Sequence, residues 1–340
     1  VFVFASLVVA GGPDLGAQTE AGSGEWAYYG GNLSFQRYAP LDQIDRTNVS
    51  ELEIVWRRKG VEPSYFELAP GLEPREYLRS TPVFVDGVLY ATNAVGLVEA
   101  FDPATGRTLW VQQPFDPSEV RGRSNRGVQV WGEGGQRRII LAREPYLYAL
   151  DPENGLPVGD FGEGGRVLLT PQEGERFRWS FSPIIVGDII VVAGIIGSAG
   201  DSGEIKEALP EDVRGYDART GRRIWTFHVL PRPGEFGRDT WENGSAEWAG
   251  DMGSWCCMSA DEDAGIVYVP FSAPTAAYYG GHRPGANLFS NSLVALEVAT
   301  GERLWHFQMV HHDLWEYDTV GPPVLGEITV DGRTVSAVMQ

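Results

Sequence analysis

The chain has 340 residues and carries 43 glycines, 22 prolines and 11 tryptophans, a composition of turns and large aromatic packing residues rather than of helices. With 43% hydrophobic and 21% charged residues it can bury a core, which excludes global disorder. Its 46 acidic against 27 basic residues give a formal charge of −19, which a phosphate backbone repels, so nucleic-acid binding is a poor reading.

The chain begins with VFVFASLVVA, ten apolar residues and too few to span a bilayer, which takes ~20. GGPDLGAQ follows, with small residues at Gly16 and Ala17. The two together read as the apolar stretch and cleavage region of a secretory signal without its methionine and basic start. Residues 1–25 are therefore expected to be a signal-like segment and linker, the protein to be exported, and the reading frame to begin upstream. A buried N-terminal strand is the other reading. LDQIDRTNVSEL (41–52) predicts a short helical turn, with Thr47 and Asn48 placed to cap it.

From residue 81 the pattern is strand and turn. TPVFVDGVLYATN (81–93), RRIILAREPYLYAL (137–150), SPIIVGDIIVVAG (182–194) and AGIVYVPFS (264–272) alternate with four related segments. These are LVEAFDPATGRTLW (97–110), LYALDPENGLPVGDF (147–161), VRGYDARTGRRIW (213–225) and LVALEVATGERLW (293–305). Each related segment has an apolar run, an acidic residue and a Gly turn requiring positive φ, then a second strand that often carries Trp. The grouping gives four short strands per unit. The turn glycines 106, 155, 221 and 301 are 49, 66 and 80 residues apart, a drift that a strict solenoid would not tolerate. A β-propeller tolerates it, because loops can grow without changing the blade. The expected fold is thus all-β, a propeller of four-stranded blades, with Trp110, Trp225 and Trp305 packed between blades. ITVDGRTVSAVMQ (328–340) opens a hairpin where a further blade would begin, so residues 26–340 are expected to be the N-terminal part of a larger propeller.

The two cysteines, Cys256 and Cys257, are adjacent. They offer no zinc spacing and no CxxCH haem attachment. They read either as a strained, reducible ring or as two small buried thiols. WHFQMVHHDLWEYD (305–318) gathers two tryptophans, three histidines and two aspartates. As a strand it would put His312 and Leu314 on one face and His311, Asp313 and Trp315 on the other. An aspartate among aromatics and near a cation suits a general base.

HHDLWEYD, YYGGHRPGANLFSNSLVALEVATGERLWHFQ, WAYYGGNLSFQRYAPLDQIDRTNVSELEIVW, SNRGVQVW and VRGYDARTGRRIWTFHVLPRPGEFGRDTW resemble the pyrroloquinoline quinone (PQQ)-dependent alcohol and glucose dehydrogenases. The resemblance runs from about Trp26 to the end. It implies an eight-bladed propeller, roughly twice this length, that oxidises an alcohol or sugar by hydride transfer to PQQ with Ca²⁺ as Lewis acid. It implies Asp313 as catalytic base, Trp255 as the floor on which PQQ stacks, Arg126 as partner of a cofactor carboxylate and Ser180 as a hydroxyl hydrogen-bonding the cofactor. It implies Glu207 as a calcium ligand together with Asp313, although Glu204 and Glu211 lie close by. Electrons would pass to a separate acceptor, a membrane quinone or a cytochrome, with peripheral membrane association. Three positions depart from the pattern. Ala273 replaces an asparagine ligand, which implies weaker calcium binding. Arg79 stands where relatives carry a neutral or acidic residue. Val120 and Arg121 occupy the place of the vicinal cysteines of methanol dehydrogenases. A non-catalytic propeller serving as a binding scaffold is the alternative, and HHDLW and Trp255 argue against it.

Overall fold

The computed structural model describes residues 24–61, 64–68, 70–73, 78–115, 120, 125–143, 145–169, 177–178, 182–196 and 205–340. Residues 1–23 of the signal-like segment, Arg121, Ser180 and Glu204 lie outside them. The first sheet contains β1 (Val83–Val85), β2 (Val88–Thr92), β3 (Val98–Phe101) and β4 (Thr108–Val111). The second contains β5 (Gln129–Trp131), β6 (Arg138–Arg143), β7 (Tyr146–Leu150) and β8 (Arg166–Leu168). A short strand, β9 (Phe177–Arg178), precedes the third sheet of β10 (Ile184–Val186), β11 (Ile189–Ala193), β13 (Val213–Asp217) and β14 (Arg223–Phe227). β9 pairs with β12 (Ile195–Ile196), which lies between β11 and β13. The fourth sheet has β15 (Ser259–Asp261), β16 (Ile266–Pro270), β17 (Ser292–Glu297) and β18 (Arg303–Gln308), and β19 (Val324–Val330) and β20 (Arg333–Met339) form a final hairpin. Each four-stranded sheet is an antiparallel meander in chain order. The first strands of successive sheets meet, β5 with β10, β10 with β15 and β15 with β19, which is the axial packing of propeller blades.

Blades are covered on both faces, so their middle strands carry continuous apolar runs rather than half-polar ones. β6 shows why this works with a side-chain period of two. Ile139 and Leu141 join Val83, Val98 and Ala100 of the first blade, while Ile140 and Ala142 join Ile184, Ile190 and Val213 of the third. Full burial of each Ile, Leu or Val among these is worth about 1.5–3 kcal/mol.

The related turns do a second job. In the first, the Asp102 carboxylate accepts the N–H groups of Ala104 and Thr105, and Gly106 donates to the Asp102 carbonyl at φ +68°. The indole N–H of Trp56 then donates to Pro103 O at 2.9 Å, and its ring covers Gly106. The arrangement repeats: Trp110 donates to Pro152 O at 2.9 Å and covers Gly155, and Trp225 donates to Val298 O at 2.8 Å and covers Gly301. A Cβ on Gly155 would lie 2.4 Å from the Trp110 ring, so the glycine supplies room as well as positive φ. Behind each tryptophan, the paired residue of the third strand is small, with Ala100 opposite Trp110, Gly215 opposite Trp225 and Ala295 opposite Trp305. The turn at Gly221 instead meets Phe161 and Val167 and accepts the Gly162 N–H at Thr220 O. Trp305 packs with Tyr268, Leu325 and Val338, between the fourth blade and the last hairpin.

Two expected elements differ. The helical turn shrinks to Val49–Glu51, and Asn48 makes no side-chain cap, because its Oδ1 accepts the Asp45 N–H instead. The strand expected over 305–318 stops at Gln308, and the remainder is a loop with His312 and Glu316 at φ +50° and +54°.

Candidate functional site

The loop after β18 is pinned by the segment before β17. Met309 N–H donates to Asn291 O, His312 N–H donates to Ala286 O, and His312 Nδ1 lies 2.9 Å from Gly285 O. Gly280 makes room for this, since a Cβ there would meet His312 and Leu314 at 2.4 Å. The left-handed turn at His312 drives Asp313 inward to complete burial, while Leu314 and Trp315 face solvent. Oδ1 of Asp313 accepts the Trp315 N–H at 3.0 Å, and Oδ2 accepts Tyr317 N–H at 2.8 Å and Asn291 Nδ2 at 3.2 Å. These charge-assisted bonds fix the carboxylate without a strand.

Arg283 is fully buried beside it. Its guanidinium donates to the carbonyls of Thr275, Ala276 and Asp313 and to Asn287 Oδ1. Burial lowers its pKa to about 10, with the Asp313 charge acting in the opposite direction, so it is a cation at neutral pH. Asn291 Nδ2 also donates to Tyr317 O at 2.6 Å. Both its partners are acceptors, which fixes the amide orientation. That leaves Asn291 Oδ1 buried with no hydrogen-bond partner among the described residues.

The same loop reaches the predicted stacking residue. Trp255 Nε1 donates to Asp318 Oδ2 at 3.0 Å, and the Ala273 N–H lies 3.5 Å from Asp318 Oδ1. Although Asp318 is exposed as a residue, its carboxyl packs against these groups. Desolvation raises its pKa, and the charges of Glu316 and Asp313 add to the rise. Arg126, anchored through its carbonyl by Thr81 N–H, holds its guanidinium 5.7 Å from the centre of the Trp255 ring. Arg126 Nε is buried and has no partner among the described residues. A flat indole beside an unsatisfied guanidinium donor suits a planar, carboxylate-bearing ligand.

Next to Trp255, both cysteines are free thiols with Sγ atoms 2.7 Å apart, Cys257 buried and Cys256 half-buried. The hydrogen bond from Cys257, aided by the charges of Arg126 and Arg37, lowers the Cys256 pKa to about 7, and burial pushes Cys257 up.

The structure thus brings Asp313, Trp255 and Arg126 into one region, with Ala273 at its edge. It does not bring Glu207 there as a buried ligand: Glu207 is exposed. Glu211, four residues on, is the buried glutamate, packed so closely on Gly253 that a Cβ there would meet its Oε2 at 1.4 Å. Arg79 is exposed. No group of three His, Cys, Asp or Glu side chains among the described residues could hold a metal ion. Sequence reasoning missed Arg283, Asn291 and Asp318. No local signal marks Arg283, since an arginine inside the Gly- and Pro-rich run YYGGHRPGAN reads as an ordinary solvated turn residue.

Residues 26–340 match the family described as PQQ glucose/ethanol/alcohol dehydrogenase, β-propeller domain. The chain is 30% identical over 348 residues to the glycerol dehydrogenase large subunit of Gluconobacter oxydans, covering 96% of this chain and 45% of that protein. It is 27% identical to a quinoprotein glucose dehydrogenase of the same organism, covering 92% of this chain and 41% of that one. A solved quinohemoprotein alcohol dehydrogenase of Pseudomonas putida superposes with a TM-score of 0.76 at 26% identity, over 93% of this chain and 45% of that one. The chain spans about half the length of these relatives. With its blades, its matched span and these relatives in agreement, the chain belongs to the PQQ-dependent dehydrogenase β-propeller family.

Proposed function

We propose that the protein oxidises an alcohol or sugar hydroxyl with PQQ bound against Trp255. The observation that carries this reading is the single loop that buries the Asp313 carboxylate and, five residues later, ties Asp318 to the Trp255 indole. Trp255 and Arg126 would hold the cofactor, the first by its flat face and the second through its unsatisfied Nε. Ser180 is proposed as a further hydrogen-bonding partner from outside the described residues. When bound, PQQ supplies a two-electron acceptor for hydride. Asp313 takes the hydroxyl proton on its carboxylate, and Tyr317, Trp315 and Asn291 keep that carboxylate oriented. Arg283 holds a positive charge beside the base. Electrons then leave to a separate quinone or cytochrome, and the apolar N-terminal stretch supports an exported location with peripheral membrane association.

Calcium stands differently. Glu207 and Asp313 were the expected ligands, but Glu207 is exposed and Asp313 already has three N–H donors on its oxygens. The described residues do not by themselves fit a calcium cage.

The test is titration of the protein with PQQ, followed by indole fluorescence, and then hydroxyl-dependent reduction of an acceptor dye with primary alcohols, glycerol and glucose. Native protein should bind PQQ and reduce dye. Asp313→Asn should keep PQQ binding and lose about 10²–10⁴-fold in turnover, while Trp255→Ala should lose PQQ binding. Failure of native protein to bind PQQ would favour the scaffold reading.

A further inference from the structure

The adjacent thiols are not used by the chemistry above. Cys257 sits in the main core with no exposure, packed with Met258, Tyr28 and their neighbours, whereas Cys256 is half-open at the edge of that core. Their sulfurs are 2.7 Å apart, with Cys257 buried beneath. Arg126 and Arg37 both bring positive charge to the pair, which favours a thiolate at the accessible sulfur. One thiol is therefore reachable and activated, and its neighbour is unreachable from solvent but in contact with it.

We propose that Cys256 and Cys257 form a reversible dithiol–disulfide site, in which Cys256 attacks a small-molecule disulfide and Cys257 resolves the product. The Cys256 thiolate attacks one sulfur of the reagent, forming a mixed disulfide and releasing one thiolate. Cys257 passes its proton to the thiolate just released and attacks Cys256 Sγ, closing the ring and releasing the second thiolate. Two protein thiols are oxidised and one disulfide is reduced to two thiols. Adjacent Cα atoms are only ~3.8 Å apart, below the usual disulfide span of roughly 4.4–6.8 Å. The closed ring therefore strains the backbone that carries Trp255, and strained bridges are the readily reduced ones. Closure and reopening would thus act on the chain immediately after the indole that Asp318 holds. The site rests on the thiols and their neighbours and does not depend on the cofactor reading.

The probe is glutathione disulfide, applied to the reduced native protein and read by intact mass and by alkylation of remaining thiols. Native protein should lose the mass of two hydrogens, retain no glutathione, resist alkylation and return to the starting mass with dithiothreitol. Cys257→Ser should trap one glutathione on Cys256, and Cys256→Ser should take up none. Native protein that retains glutathione without losing two hydrogens would overturn the proposal. So would native protein that keeps two alkylatable thiols, or a Cys256→Ser variant that reacts as fast as native.

Discussion

Arg283 illustrates how much one side chain can organise when it is buried with a charge. It ties four carbonyls of the 275–313 region and Asn287 together, and it stands beside the Asp313 carboxylate. Arg283→Met should leave those acceptors and that anion without a cation, at about 3–5 kcal/mol in stability, read from the urea midpoint. Arg283→Lys should recover only part of the loss, because an ammonium cannot reproduce the planar fork. Asp313, Trp255 and Arg126 stood out in the sequence as candidates because whole motifs surround them. Arg283 and Asn291 were not, since their partners lie 30 and 22 residues away and only the fold brings them together. Glu207 and Glu211 show the same limit, as spacing alone could not say which glutamate is buried.

In the hairpin turns, steric room and backbone conformation can be separated by experiment. Gly155 and Gly87 both have positive φ, +73° and +75°, but a Cβ would clash with Trp110 only at Gly155. Gly87→Ala should cost about 1–3 kcal/mol for its backbone, and Gly155→Ala roughly 1–3 kcal/mol more for overpacking, as compared by thermal unfolding. The turn carboxylates add a pH signature. Burial pushes Asp217 up, but the Thr220 N–H and hydroxyl and the Arg219 N–H outweigh it and leave its pKa lowered. A carboxyl lowered in the folded state contributes stability above its unfolded pKa, and that contribution is lost as pH falls through the folded value. Thr220→Val should therefore move the Asp217 titration upward by NMR, and its stability deficit should vanish in acid. Alternation and Gly turns made these hairpins legible. They failed over 309–318, where side-chain identity suggested a strand but left-handed residues at His312 and Glu316 break it.

At the scale of the whole chain, the charge of −19 bears on the proposed oxidation, because it would set how a charged acceptor approaches. A cationic acceptor dye should be reduced faster than an anionic one of equal potential. The advantage should shrink as salt rises to about 0.15 M, where screening acts over ~8 Å, measured by stopped flow. The propeller was legible because its repeat is written four times. The tryptophans that dock on the next blade's turn have a mechanical consequence. The second and fourth blades are clasped by their predecessors through an indole N–H and a ring set over a glycine, and the third by Phe161 and Val167 against Gly221, so tension on the chain ends should release clasps one at a time. Turn spacings of 49, 66 and 80 residues correspond to contour gains of about 170, 230 and 280 Å at ~3.5 Å per residue. An optical-trap trace should show steps of those unequal lengths, and Trp110→Ala should lower the force of the step at the Gly155 turn while leaving its length unchanged.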